Sequence, residues 1–225
     1  MTTSTLHVLE DKKECTKCEL HEQAQSVGMK THRYAYSSLH EENNLLVIGQ
    51  NPGWNEDRVN QPFVSRSGDI LKKAYFGGVD LVSRCNIYLS NGVRCHTTNN
   101  ETPKPRHYIE CNQYLIEDLQ ILKPNYILTL GAPATTSFYK NILGIPKISL
   151  TKSFALNGNL YTELEHKING VGEFNVFSTF HPAAVIRNNN HINSVHSHLQ
   201  LLSDCLDGTM ASPSSPKIIP TRSPK

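Results

Sequence analysis

The chain has 225 residues, 38% of them hydrophobic and 19% charged, with a formal net charge of +2. That length and composition suit one domain with a sizeable core and exclude a disordered majority. The near-balanced charge excludes a broadly basic nucleic-acid coat, so any nucleic-acid contact must come from a local patch. No apolar run approaches the roughly 18 residues of a membrane-spanning helix. The start, MTTSTLHVLEDKKEC, lacks a basic segment followed by an apolar one, so it is not a signal peptide. A cytoplasmic location is expected, and with it six cysteines that serve as metal ligands or free thiols rather than disulfides.

In chain order, residues 1–14 read as a loose polar lead-in. Residues 45–49 (LLVIG) are a short apolar run ending in glycine, the mark of a buried strand. Residues 86–91 (NIYLSN), 126–130 (YILTL) and 174–180 (FNVFSTF) read alike. Between them, apolar spacing predicts helices over 67–76, 107–122, 132–140 and 192–206. Strands alternating with helices indicate a parallel sheet covered on both faces. In such sheets ligands bind where the carboxyl ends of the strands emerge. Three of these ends carry polar residues: Gln50 and Asn51, Asn91, and His181. One domain is expected over residues 1–207. The tail from 208, GTMASPSSPKIIPTRSPK, is rich in Pro and Ser and is expected to be disordered.

Cys15 and Cys18 form a CxxC, Cys95 follows the Asn91 strand end, and Cys111 lies in the 107–122 helix. Thiolates so placed suit zinc or an iron–sulfur cluster, and the spacing does not choose between them. Cys85 and Cys205 match no spacing and read as structural thiols. Taken singly, Gln50, Asn51, Phe63, Asn91 and His181 each have an ordinary explanation as turn, cap or core residues. Together they place two kinds of amide, a phenyl ring and an imidazole at one sheet edge, which favours a pocket for a flat polar ligand. An Asn amide pairs with a base edge, a phenyl ring stacks on a base, and an imidazole donates to a developing oxyanion.

These residues fall in a longer set: Cys15-x-x-Cys18 with Leu20, LLVIGQNPG with Glu56-Asp57, QPFVSRSGDIL, IYLSNGVRC, the Pro103/Pro105 loop to Cys111, LKPNYILTLGAPA and FHPAAVIRN. The set resembles the uracil-DNA glycosylase superfamily, closest to its iron–sulfur family-four branch, in the family's own order over nearly the whole chain. The resemblance implies a three-layer α/β/α sandwich around a four-stranded parallel sheet. It implies a [4Fe–4S] cluster on Cys15, Cys18, Cys95 and Cys111, with a structural role. It implies excision of a flipped-out uracil from DNA. Asn51 would orient the attacking water, His181 would stabilise charge on the leaving base, and Gln50, Phe63 and Asn91 would hold it. Glu56 would bias the site electrostatically. Val185, Ile186 and Arg187 are candidates for a wedge into the vacated space. Arg66, Arg94, Lys104 and Arg106 are candidate phosphate contacts. A monomer is expected.

The first motif departs from the family, whose usual turn is Gly-Glu-Ala-Pro-Gly. Here Gln50 and Asn51 take the second and third places. Position 53 is glycine, where the prototypical uracil enzymes carry a tyrosine that rejects the thymine methyl. Glu56 is the candidate for that task. Two rival readings follow: a glycosylase for C5-modified or deaminated bases, and a non-catalytic iron–sulfur DNA-binding protein. A covalent link to product through a histidine of the loop before Cys111 is disfavoured. His96 and His107 are present there, but no basic insertion is.

Overall fold

Four apolar runs form the centre of the sheet. In the computed structural model, which describes residues 11–37, 39, 43–157, 159–161 and 171–209, they are β2 (Asn44–Gly49), β3 (Asn86–Asn91), β4 (Tyr126–Leu130) and β6 (Phe174–Thr179). They lie parallel in the order β3-β2-β4-β6. Successive side chains of a strand point to opposite faces, and β2 divides accordingly. Leu45 and Val47 join one core with Leu71, Tyr75, Phe76, Val195 and Leu199. Leu46 and Ile48 join the other with Leu115, Leu119, Phe138 and Tyr139. All four β2 side chains are at most 1% exposed, which is worth about 1.5–3 kcal/mol apiece. Burial on both faces makes the run continuously apolar instead of alternating. The three-layer sandwich is therefore present.

Two short edge strands extend the sheet antiparallel. They are β1 (His32–Arg33) against β3 and β5 (Asn159–Tyr161) against β6. At two and three residues they are too short to show a period, so no apolar pattern marks them.

The expected helices form as α2 (Arg66–Ile70), α4 (Pro105–Leu122), α5 (Ala132–Asn141) and α8 (His191–Leu206). The shorter α1 (Trp54–Val59), α3 (Leu81–Arg84), α6 (Leu150–Phe154) and α7 (Pro182–Arg187) complete the set among the described residues. The 67–76 segment is not a uniform α-helix. After Ile70 it widens into a π-helical turn, Leu71–Phe76. The wider turn brings Leu71, Tyr75 and Phe76 inward together, each 0% exposed.

Residues 11–14 are not a loose lead-in. The Lys12 N–H donates to the Gly28 carbonyl at 2.9 Å, and Asp11 Oδ1 accepts from the Lys30 N–H at 3.0 Å. At the other end, Gly208 adopts a left-handed φ of 67° and the Thr209 N–H closes on Asp204. So α8 keeps its cap beyond residue 207. The rest of the proposed tail, 210–225, lies outside the described residues, as do 1–10.

Candidate active site

Register fixes the first half of the site. Gly49 pairs beside Asn91, and the turn continues as a ladder: the Gly92 N–H donates to Gly49 O at 2.9 Å and the Val93 N–H to Gln50 O at 3.0 Å. Gly49 leaves a cradle. A Cβ there would lie 2.5 Å from Asn91 Oδ1 and 2.7 Å from Phe63 Cζ. The candidate base-edge amide, Asn91, and the candidate stacking ring, Phe63, thus converge on one glycine. Phe63 reaches this position in the left-handed region, at φ 56°, which is costly for a bulky residue. Gly68 permits it, because a Cβ at 68 would overlap the Phe63 carbonyl.

Asn51 is oriented by chemistry. Its Nδ2 donates to the Pro52 carbonyl at 3.0 Å and to Thr97 Oγ1 at 3.2 Å. A carbonyl only accepts, and Thr97 Oγ1 spends its own proton on Glu101 O at 2.6 Å. The amide nitrogen must therefore face these partners, which leaves Oδ1 as the acceptor on the other side. Thr97 and His96, whose Nδ1 lies 3.2 Å from the Pro52 carbonyl, were not singled out for this task by sequence. No spacing rule links position 97 to position 51.

Glu56 is 7% exposed and ties two loops together. Its Oε1 accepts from the Ser65 N–H at 3.1 Å. Its Oε2 would be 2.6 Å from a Cβ on Gly53, so the carboxylate fills the space a side chain at 53 would take. Asp57, 1% exposed, accepts from the N–H groups of Gln25 and Ser26 at 2.9 Å each. It pins the CxxC segment to the turn.

His181 caps α7. The Ala183 N–H donates to His181 Nδ1 at 3.1 Å. With Nδ1 accepting, the neutral ring carries its proton on Nε2. Burial, with the Arg187 cation adding to it, lowers the His181 pKa from 6.5 to about 4; the Glu56 carboxylate opposes this weakly. The ring is neutral at pH 7 and offers an N–H donor. Gly131, at φ 81°, lets the chain pass close, since a Cβ there would lie 2.9 Å from His181 Cβ. The Tyr75 hydroxyl donates to Phe180 O at 2.9 Å and steadies the same turn.

The outer candidates divide. Val185 is 5% exposed and packed in the core, so it does not serve as a wedge; Ile186 and exposed Arg187 remain. Arg94 is 3% exposed and ion-paired to Asp118, with Met29 O and Thr31 Oγ1 as further partners. It is an internal tie and not a phosphate contact. Arg66 and Lys104 are exposed. Arg106 is also exposed but is paired with Glu19.

Cys15, Cys18, Cys95 and Cys111 line one pocket, together with Lys17 and Arg94. The Gly28 N–H donates to Cys95 Sγ at 3.3 Å. Burial raises the Cys95 thiol to about 12 and the Cys111 thiol to about 11. Among the described residues no trio of His, Cys, Asp or Glu is set to hold a single metal ion. One tetrahedral zinc would draw its four sulfurs to about 3.8 Å from each other, given Zn–S bonds near 2.3 Å. Cys85 is buried elsewhere, in the core with Leu81 and Ile87.

Comparison with known proteins agrees with this geometry. Residues 37–201 match the family model described as the Uracil DNA glycosylase superfamily. A type-4 uracil-DNA glycosylase of Thermotoga maritima is 31% identical, covering 80% of this chain and 82% of the relative. Type-4 uracil-DNA glycosylases of Pyrobaculum aerophilum and Archaeoglobus fulgidus are each 30% identical, covering 78% and 76% of this chain and 81% and 78% of those proteins. With a sheet edge that gathers Asn51, Phe63, Asn91 and His181, and relatives aligned along most of their length, the chain belongs to the type-4 family of the uracil DNA glycosylase superfamily.

Proposed function

We propose that this protein hydrolyses the N-glycosidic bond of uracil in DNA, releasing free uracil and leaving an abasic site. The observation that carries the reading is the oriented Asn51 amide, whose Oδ1 is the one end left to accept from a water. The target nucleotide must leave the stack before its C1′ is reached. Phe63 stacks on the flipped base, and Asn91 reads its O4 and N3 edge, favouring uracil over cytosine. The bond from C1′ to N1 breaks with its electron pair going to the base. His181 Nε2–H donates to O2, where negative charge gathers. Water held by Asn51 Oδ1 adds its oxygen to the cationic C1′. Its surplus proton goes to solvent, and the uracil anion takes up one in turn. Gln50 supplies backbone to the pocket, and the Glu56 carboxylate fills the space a side chain at 53 would take, where it would stand against a C5 substituent. That placement favours uracil over C5-modified bases.

The cysteine cavity fits a [4Fe–4S] cluster. It presents four sulfurs, a backbone N–H on Cys95, and the cations Lys17 and Arg94 against the charge of the thiolates. Buried thiols with raised pKa values stay protonated unless a cation replaces the protons. Bound there, the cluster supplies cross-linking rather than redox chemistry, joining the N-terminal strap to the loop at Cys95 and to α4. DNA is the partner, held by a monomer through Arg66, Lys104, Ile186 and Arg187, in an intracellular setting. Among the described residues no helix is long and apolar enough to cross a membrane.

The test is base release from oligonucleotides carrying uracil, hypoxanthine, xanthine or a C5-modified pyrimidine, with the protein purified anaerobically. Uracil is expected to be released fastest. Release of another base alone would shift the substrate class. Tight binding without any release would make the protein a binder.

A further inference from the structure

Trp54 is the chain's one tryptophan. It follows the QNPG turn directly, as the first residue of α1, and is 53% exposed. A tryptophan is rarely left so open without a partner. This one is also held. Its backbone N–H donates to Asn100 Oδ1 at 3.2 Å, and its ring meets the His96 ring at 6.1 Å in an edge-on arrangement of 66°. His96 and the adjacent Thr97 are the residues that brace Pro52 and Asn51. The indole is therefore fixed to the scaffold that positions the water, yet it faces solvent.

One helical turn on, Arg58 is exposed and makes no ion pair among the described residues. Residues four apart share a helix face, so the flat ring and the cation stand side by side. Glu56, on the opposite face, is buried, and so is Asp57. An aromatic plane beside a guanidinium is the chemistry that binds a nucleotide, with the base on the ring and the phosphate on the cation. A base offers its face only when it is not stacked within a duplex.

We propose that Trp54 and Arg58 form a second nucleotide site beside the base pocket. Trp54 stacks on an unpaired base flanking the flipped nucleotide, and Arg58 binds that nucleotide's phosphate. The site gives the protein a preference for single-stranded DNA. It rests on the glycosylase reading for its location and not for its chemistry.

Because no other tryptophan is present, emission excited at wavelengths beyond tyrosine absorption reports on this ring alone. The full chain is titrated with a single-stranded oligonucleotide in which thymine replaces uracil, so that nothing turns over, while anisotropy follows binding independently. Quenching in step with binding is expected. Trp54→Ala should raise Kd for the single strand about 5- to 150-fold, the usual range for one stacked base. Its KM for a uracil-containing single strand should rise in parallel with kcat little changed, and Trp54→Phe should lose less. Arg58→Gln should lower the salt slope of binding by about one. Saturating DNA without quenching overturns the proposal, even if Trp54→Ala fails to fold. So does a Kd for folded Trp54→Ala within about twofold of the parent. Uracil release with no effect at Trp54 sinks this site alone. Quenching without uracil release sinks the glycosylase reading and leaves the site standing.

Discussion

Replacing Thr97 with Val keeps the side-chain shape and removes one oxygen. That oxygen accepts from Asn51 Nδ2 at 3.2 Å and donates to Glu101 O at 2.6 Å. The first loss leaves Pro52 O, at 3.0 Å, as the remaining hold on the amide. One neutral hydrogen bond contributes about 0.5–1.5 kcal/mol net. The share of molecules with Oδ1 turned toward the water should fall accordingly, and the excision rate by about 2- to 13-fold. The second loss strands the Glu101 carbonyl and costs about 1–3 kcal/mol of stability if water does not reach it. Single-turnover release of uracil from an oligonucleotide is the assay, because it isolates chemistry from product release. Thr97→Val should lower the rate constant while leaving KM unchanged, and Thr97→Ser should restore it. An unchanged rate constant in Thr97→Val would refute the orientation argument. So would equal losses in the Val and Ser variants, which would point to packing.

Other outcomes follow from the same geometry. Gly49→Ala would place a methyl 2.5 Å from Asn91 Oδ1 and 2.7 Å from Phe63 Cζ; it should weaken uracil-DNA binding and excision while far-UV circular dichroism stays unchanged. His181, held to about 4, stays neutral in the folded chain between 4 and 6.5, while the unfolded chain takes up a proton there. Its contribution to stability is therefore present in full above 6.5 and declines as pH falls toward 4. His181→Gln should flatten the pH dependence of the urea midpoint across that window. Cys111→Ser should lower iron content and visible absorbance, and it should open residues 12–28 to protease, because the strap is tied at Cys18, Leu20 and Asp57.

Strand positions were legible because burial on both faces leaves an unbroken apolar run, as in Leu45–Ile48. The polar strand ends were legible because Asn51, Asn91 and His181 interrupt those runs at the same relative point. What the sequence hid was local and relational. The π turn after Ile70 keeps the composition of an α-helix, so Tyr75's reach to Phe180 O had no signature. Val185 sits beside the half-buried Ile186 and the exposed Arg187, and the rotation of a six-residue helix alone sends it inward. Arg94 reads as a surface cation until Asp118, 24 residues on, meets it inside. Thr97's bond to Asn51 spans 46 residues and two loops, a contact that only the assembled sheet edge creates.

If the QNPG turn holds the water for uracil release, Asn51→Ala removes the group that does so. Anaerobically purified wild type and variant are given the same uracil-containing oligonucleotide, with free uracil timed and iron counted in parallel. A turn that holds the water predicts about four irons per chain in both, uracil release by the wild type, and a rate at least about 100-fold slower in the variant. Equal rates in the two, or no uracil from a wild type with its iron complete, would contradict it.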